Sequence, residues 1–372
     1  MPSAAVRSDS SAAIAPPRPT TEPRYLALDA YRGFIMLVLV SSGFGLAALA
    51  RRDPAFAAIA GQFEHKPWAW IAFWDLIQPA FMFMVGVAMP FALARRAEQG
   101  VSKGQIFRHV GARSLRLLLM SQILMSIAAG RPFVQLTNVL AQIAITYFLC
   151  YLIMQLQFRW QAVTAALILA GHWALYAVFP GAEGAFWSKT TNIGAVIDGF
   201  VFHRANPGYW VSINFVTSTA TTLFGVWTGQ LLRSRRSHRE NLRILAASAA
   251  ACFALGLAIH PWNPIVKRIC TTSFTIYSTG WVLLMLLVFY WVIEVAGYRK
   301  WTFPLVVVGA NSIFIYSVDF VLRGWLDRAI GVFTFHFKWI GTFAPVAQSC
   351  AVLAAMWYLC YWLYRRKIFF KL

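Results

Sequence analysis

Long apolar stretches alternate with short polar, basic ones along the chain from residue 24 onward. Ten such stretches lie close to the ~20 residues needed to cross a hydrocarbon core. They fall at about Tyr25–Ala50, Ile71–Ala94, Ser114–Ala129, Thr137–Leu156, Ala162–Phe179, Val211–Leu232, Ile244–His260, Ser273–Ala296, Phe303–Leu322 and Phe343–Tyr364. The pattern predicts an all-α fold, a polytopic membrane protein built as a bundle of about ten transmembrane helices. Ser114–Ala129 is the shortest of these blocks. Residues Met1–Pro23 are rich in Ser, Ala and Pro and lack the apolar core of a signal peptide. They read as a disordered cytosolic tail, which leaves 24–372 as a single transmembrane domain.

Composition removes the soluble alternatives. Of 372 residues, 59% are hydrophobic and 12% charged, against roughly 25% charged in a soluble domain. A net charge of +20 would point to nucleic acid in a soluble protein, but no basic domain of useful size exists here. With the N-terminus inside, 21 of the 33 Lys and Arg fall in the tail and the segments on its side, 11 fall opposite, and Arg32 lies within the first helix. This bias predicts both termini cytosolic, in the inner (plasma) membrane of a cell. The five cysteines sit mostly in apolar runs without a CxxC, so neither a disulfide framework nor a metal site is expected.

Ionisable groups inside apolar stretches are the leads, because a spanning helix keeps them only toward the bundle interior or water. Asp29 and Arg32 share one face of the first helix. They form a local ion pair or present a cation to a phosphate-bearing ligand. Asp75 opens the second helix in FWDLIQP. His65 precedes it in FEHKPWAW, with no second histidine at metal-ligand spacing. On these residues alone it is either a loop histidine or a general base. The ninth helix carries Asn311 and Ser312 near mid-membrane, then Asp319 and Arg323 four apart near its outer end. Asn311 is either an interhelical hydrogen-bonding residue or a donor to a reacting carbonyl. SINFVTSTATTLFGVWTG carries too many hydroxyls for a lipid face and suggests a wet path, while its Gly225 and Gly229 suggest close helix packing.

YLALDAYRGFIMLVLV resembles the opening helix of the heparan-alpha-glucosaminide N-acetyltransferase family, in a bacterial branch. EHKPWAWIAFWDLIQPAFMFMVGVAMPFAL resembles the family's second block. TNVLAQIAITYFL, FGVWTGQLL, PIVKRICTTSF and VVVGANSIFIYSV follow in the family's order. The sequence departs from the family pattern at Ser41 and Ser42, at GYWVSIN before the sixth helix, at Gln142, and at Val266 and Arg268. The resemblance implies a helical membrane acyltransferase that uses cytosolic acetyl-CoA as donor. It also implies that the family's active-site histidine falls on His65.

Acyl transfer from a thioester needs a base or nucleophile and stabilisation of the oxyanion. The expected catalytic set is His65, with Asp75 to orient it and Asn311 to donate to the carbonyl. Arg32, Arg113 and Arg116 are expected to hold the donor's phosphates, since arginine binds phosphate bidentately. The expected partners are the lipid bilayer, acyl-CoA and an extracytoplasmic glycan acceptor offering an amine or hydroxyl. The oligomeric state stays open between monomer and homodimer. A transporter or flippase for a small envelope precursor is the alternative, favoured by the polar sixth helix and disfavoured by the lack of a visible repeat.

Overall fold

The structure is a computed structural model that describes residues 25–179, 186–203, 206–234, 236–334 and 338–370. The expected disordered tail 1–23 lies outside the described residues. Helices dominate in chain order: α1 Leu26–Val40, α2 Leu46–Arg52, α3 Ile77–Glu98, α4 Lys103–Ala129, α5 Val139–Ile153, α6 Phe158–Val178, α7 Ile193–Phe202, α8 Asn214–Arg233, α9 His238–Ile259, α10 Thr272–Tyr290, α11 Phe303–Ala310, α12 Ser312–Thr334 and α13 Ala344–Arg365. Among the described residues, pairing in the manner of a strand is confined to an isolated antiparallel bridge between Ala69 and Val266.

Each predicted apolar block contains helix, but three differ from expectation. The first bends by 47° between α1 and α2. Ser42, Gly43, Phe44 and Gly45 there all take positive φ, between 48° and 70°, which no continuous helix tolerates and which the two glycines ease. Arg323 closes this break. Its Nη1 donates to the Val40 carbonyl at 2.6 Å and to Asp319 at 2.7 Å, which gives that pair a structural task. The ninth block bends by 67° at Asn311. The third, expected to be shortest, is a helix of 27 residues. Its basic first turns continue the helix because Ser102 and Gln105 cap its start reciprocally, at 3.3 and 3.0 Å.

Six helices among the described residues are long and apolar enough to cross a membrane, and eight if each bent pair is one span. The chain is therefore a multi-pass membrane protein. α5 falls short on length, with 15 residues, and α8 is made less apolar by its hydroxyls. Four of those hydroxyls bond to backbone carbonyls. Thr219, Thr222 and Thr228 donate to carbonyls four residues back on their own helix, at 2.8 to 2.9 Å, and Thr217 donates to the Cys270 carbonyl at 2.9 Å. The interior position of α8 satisfies them within packed protein.

α8 is interior because it lies against α3 at backbone distance. A Cβ at Gly225 would stand 2.1 Å from the Phe83 carbonyl oxygen, and one at Gly229 would stand 2.4 Å from that of Val87. The packing reading of these glycines holds. α1 runs antiparallel to α3: Phe34 meets Phe73 with ring centroids 6.4 Å apart, and Tyr25 meets Phe91 at 6.2 Å. The bundle thus has two ends. Asp75 marks one, and Phe91 facing Tyr25 marks the other, ~24 Å along α3 at 1.5 Å per residue, with Asp29 and Arg32 on α1 between the levels of Tyr25 and Phe34.

Candidate active site

The loop before α3 is drawn onto the bundle by backbone pairing. Trp70 N–H donates to the Ile265 carbonyl at 2.8 Å, and Gln62 accepts from both Phe73 and Trp74 N–H, at 3.2 and 2.9 Å. This folds residues 62–74 into a cap lying against the segment between α9 and α10. Asp75 fixes the inner side of the cap. Its Oδ2 accepts from Ala72 N–H at 2.9 Å and Lys66 N–H at 3.3 Å. That leaves Oδ1 facing His65.

His65 Nδ1 lies 2.7 Å from Asp75 Oδ1. Lys267 Nζ lies 3.4 Å from the same oxygen and 3.2 Å from His65 Nδ1. An ammonium has no acceptor capacity, so both Lys267 and the Nδ1–H donate to the carboxylate. The shared acceptor fixes the proton on Nδ1, so that a neutral imidazole presents its lone pair on Nε2. Asp75 and Lys267 are sealed, with 2% and 7% of their side chains exposed, whereas His65 keeps 37%. Trp210 closes one flank, with its ring centroid 5.3 Å from that of His65. The cations Lys267 and Arg268 lie against the same indole, at 5.1 and 5.3 Å.

Burial pushes the His65 pKa below the ordinary histidine value. The Asp75 hydrogen bond works against the drop, and the charges of Lys267 and Arg268 add to it. Burial also pushes the Lys267 pKa down, while the nearby carboxylate of Asp75 pulls it up. Behind the dyad lies a polar file: Gln78 donates to Gln142 at 2.6 Å and to Ser218 at 3.2 Å, with the Cys270 thiol 4.0 Å from Gln78.

The other expected site residues lie elsewhere. Asn311 is fully buried, and both ends of its amide are taken by the C-terminal backbone. Nδ2 donates to the Ile368 carbonyl, and Oδ1 accepts from Phe370 N–H, each at 3.1 Å. This is the Arg32 end of the bundle, so Asn311 does not join His65. Its amide is matched to the stretch of chain at 368–370 beside the helix break. Arg32 donates to Asp29 at 3.1 Å and to the Gly309 carbonyl at 3.0 Å. It lines a cavity of about 510 Å³ with Arg365, Lys367, Tyr364 and Phe369. Arg113 and Arg116 do not line that cavity. Arg113 lies 4.8 Å from the Tyr147 ring centroid, and Arg116 donates to the Ala112 carbonyl at 3.2 Å. With Arg96, which contacts His109 at 2.6 Å, they form a separate basic cluster on α3 and α4. The three arginines expected in one donor site therefore occupy two places.

A family model described as heparan-alpha-glucosaminide N-acetyltransferase, catalytic, matches residues 24–260, well over half of the chain. The chain belongs to this family. Its similarity to the curated heparan-alpha-glucosaminide N-acetyltransferase of Homo sapiens is 21% identity over 417 aligned positions, covering 94% of this chain and 60% of the human protein. The Mus musculus protein of that name gives 22% identity over 95% of this chain and 61% of its own length. The chain thus spans about 60% of the length of these relatives.

The region matched to the N-acetyltransferase family holds His65 and Asp75 and ends at His260, just short of Lys267. Lys267 falls inside the family-like block PIVKRICTTSF, but the sequence reading gave it no role. The available signal was a lysine set between Ile265, Val266, Ile269 and Cys270, a context that buries an ammonium and so demands a carboxylate partner. Among the described residues no group of three or more His, Cys, Asp or Glu could hold a metal ion.

Proposed function

We propose that this membrane acetyltransferase-family protein moves an acetyl or other short acyl group from cytosolic acyl-CoA to an extracytoplasmic acceptor, an amine or hydroxyl on a glycan. The reading includes ten spans with both termini cytosolic, in an inner (plasma) membrane. One observation carries it: a half-exposed imidazole whose Nδ1–H is fixed at 2.7 Å on a sealed carboxylate, leaving Nε2 to react. In the direct route Nε2 takes the proton of the acceptor as its N or O bonds to the acyl carbon. The C–S bond then breaks, and the leaving thiolate takes up a proton. In the two-step route Nε2 itself bonds to the acyl carbon as the thiolate leaves, and the acceptor later displaces the imidazole. Asn311, engaged by the C-terminal backbone, has no part in this scheme. The basic cluster of Arg96, Arg113 and Arg116 and the cavity at Arg32 are the two candidate seats for the donor's phosphates.

The test is thiol release from acetyl-CoA by the purified full chain, with and without candidate acceptors. His65→Ala is expected to abolish transfer while the protein still inserts and binds acyl-CoA. Brief exposure to acyl-labelled donor without acceptor distinguishes the routes: label retained by wild type and absent from His65→Ala supports the two-step route. Turnover near normal in His65→Ala overturns the assignment. Substrate counterflow in proteoliposomes, with no thiol release, would instead identify a transporter.

A further inference from the structure

A histidine hydrogen-bonded to a lone buried carboxylate is biased toward its protonated form. The carboxylate needs a counter-ion, and the imidazole supplies one by taking a proton. A protonated ring has no free Nε2 lone pair with which to attack a thioester or accept a proton. At this site a second cation is already present. Lys267 Nζ stands 3.4 Å from Asp75 Oδ1, reaches it from the segment between α9 and α10, and is shut off from solvent beneath Trp210.

We propose that Lys267 is a positioning residue for His65: its ammonium is the standing counter-ion of Asp75, so the carboxylate orients the imidazole without charging it. The charge balance of the pocket supports this. Asp75, from the start of α3, is the acid facing the group. Lys267 and Arg268 face it from their own segment, His65 from the cap, and the neutral Cys270 thiol lies at the edge. Arg268 is directed away, since its Nη1 donates to the Gly208 carbonyl. That leaves Lys267 as the cation on the carboxylate. The ordinary pairing of one negative with one positive charge is thereby completed with His65 neutral, whereas without Lys267 it is completed by imidazolium. The inference rests on the acyltransferase reading for its purpose, but not for its test.

The test reads the charge of His65 directly. Diethyl pyrocarbonate reacts with the neutral imidazole nitrogen, so its rate at the His65 peptide, followed by mass spectrometry across pH on the full chain in nanodiscs, gives the midpoint of protonation. Wild type should show a midpoint below the ordinary 6.5. Lys267→Met should raise it by about one unit or more, which slows modification close to tenfold at pH values below both midpoints. Lys267→Arg should restore the low midpoint. Where Lys267→Met does not fold, Lys267→Gln takes its place. A midpoint that does not move on loss of the ammonium overturns the proposal. Because modification requires no acyl transfer, a wild type inactive with acetyl-CoA would sink the proposed function and leave this result standing.

Discussion

Asp75→Asn is the sharpest probe of the dyad, because the geometry forces the amide into one of two poor choices. The carboxylate accepts on both oxygens, from Ala72 and Lys66 N–H on one and from His65 and Lys267 on the other. Asparagine has one acceptor oxygen. If it faces the backbone donors, its NH2 faces His65, whose Nδ1 must then accept. The proton moves to Nε2, and the reactive nitrogen is lost. If the oxygen faces His65 instead, the NH2 opposes two backbone N–H groups, each costing about 1–3 kcal/mol when left unmade. That first pose also sets the amide NH2 against the Lys267 ammonium, so the inactive tautomer is favoured by only about 1–3 kcal/mol, a loss of about 10–10² in kcat at 1.36 kcal/mol per decade. KM for acyl-CoA should stay within a few-fold, since Asp75 touches no donor-binding group. Thiol release under saturating acetyl-CoA measures it, with gel filtration confirming a folded protein. Retention of kcat within about threefold would refute the claim that Asp75 sets the tautomer.

Three further outcomes follow from the packing and the charges. Gly225→Leu should lower the apparent melting temperature in detergent by several degrees and broaden the gel-filtration peak, because even its Cβ would meet the Phe83 carbonyl at 2.1 Å; an unchanged melt would contradict the α3–α8 contact. Arg32→Ala should weaken acyl-CoA binding several-fold if the cavity it lines seats a phosphate, and a double-mutant cycle with Asp29→Ala separates this from the ion pair; full coupling with unchanged affinity leaves Arg32 a structural role. Cysteine at the exposed Lys189, with the exposed Cys350 changed to serine, should label with an impermeant thiol reagent in intact cells, whereas Ser237→Cys should not; the reverse pattern inverts the orientation.

Helix content was legible because apolar blocks of spanning length leave few alternatives, and all the expected blocks contain helix. The breaks were harder to read. SSGFG advertised the first through its glycines, but the bend at Asn311 depends on residues 368–370 crossing it, a partnership 57 to 59 positions away. His65 and Asp75, ten residues apart, fell within local reasoning. Lys267 reaches the same carboxylate from 202 residues beyond His65, and no local pattern encodes that approach. The early turns of α4 were passed over because Lys103, Arg108 and Arg113 resemble a loop, although a Ser102 cap and a basic helix end satisfy the same composition.

The contact of α3 with α8 also sets an order of events during synthesis. Lipid offers helices no hydrophobic reason to associate, so adhesion depends on close fit and on the carbonyls that glycine leaves within reach. α3 finds that fit in α8, which is synthesised after α4 to α7. Until then Gly86 and the Phe83 and Val87 carbonyls lack their mates. The segment bearing Lys267 is made later still, after α9. A nascent chain halted before residue 267 would therefore carry His65 and Asp75 but not the ammonium that completes the trio.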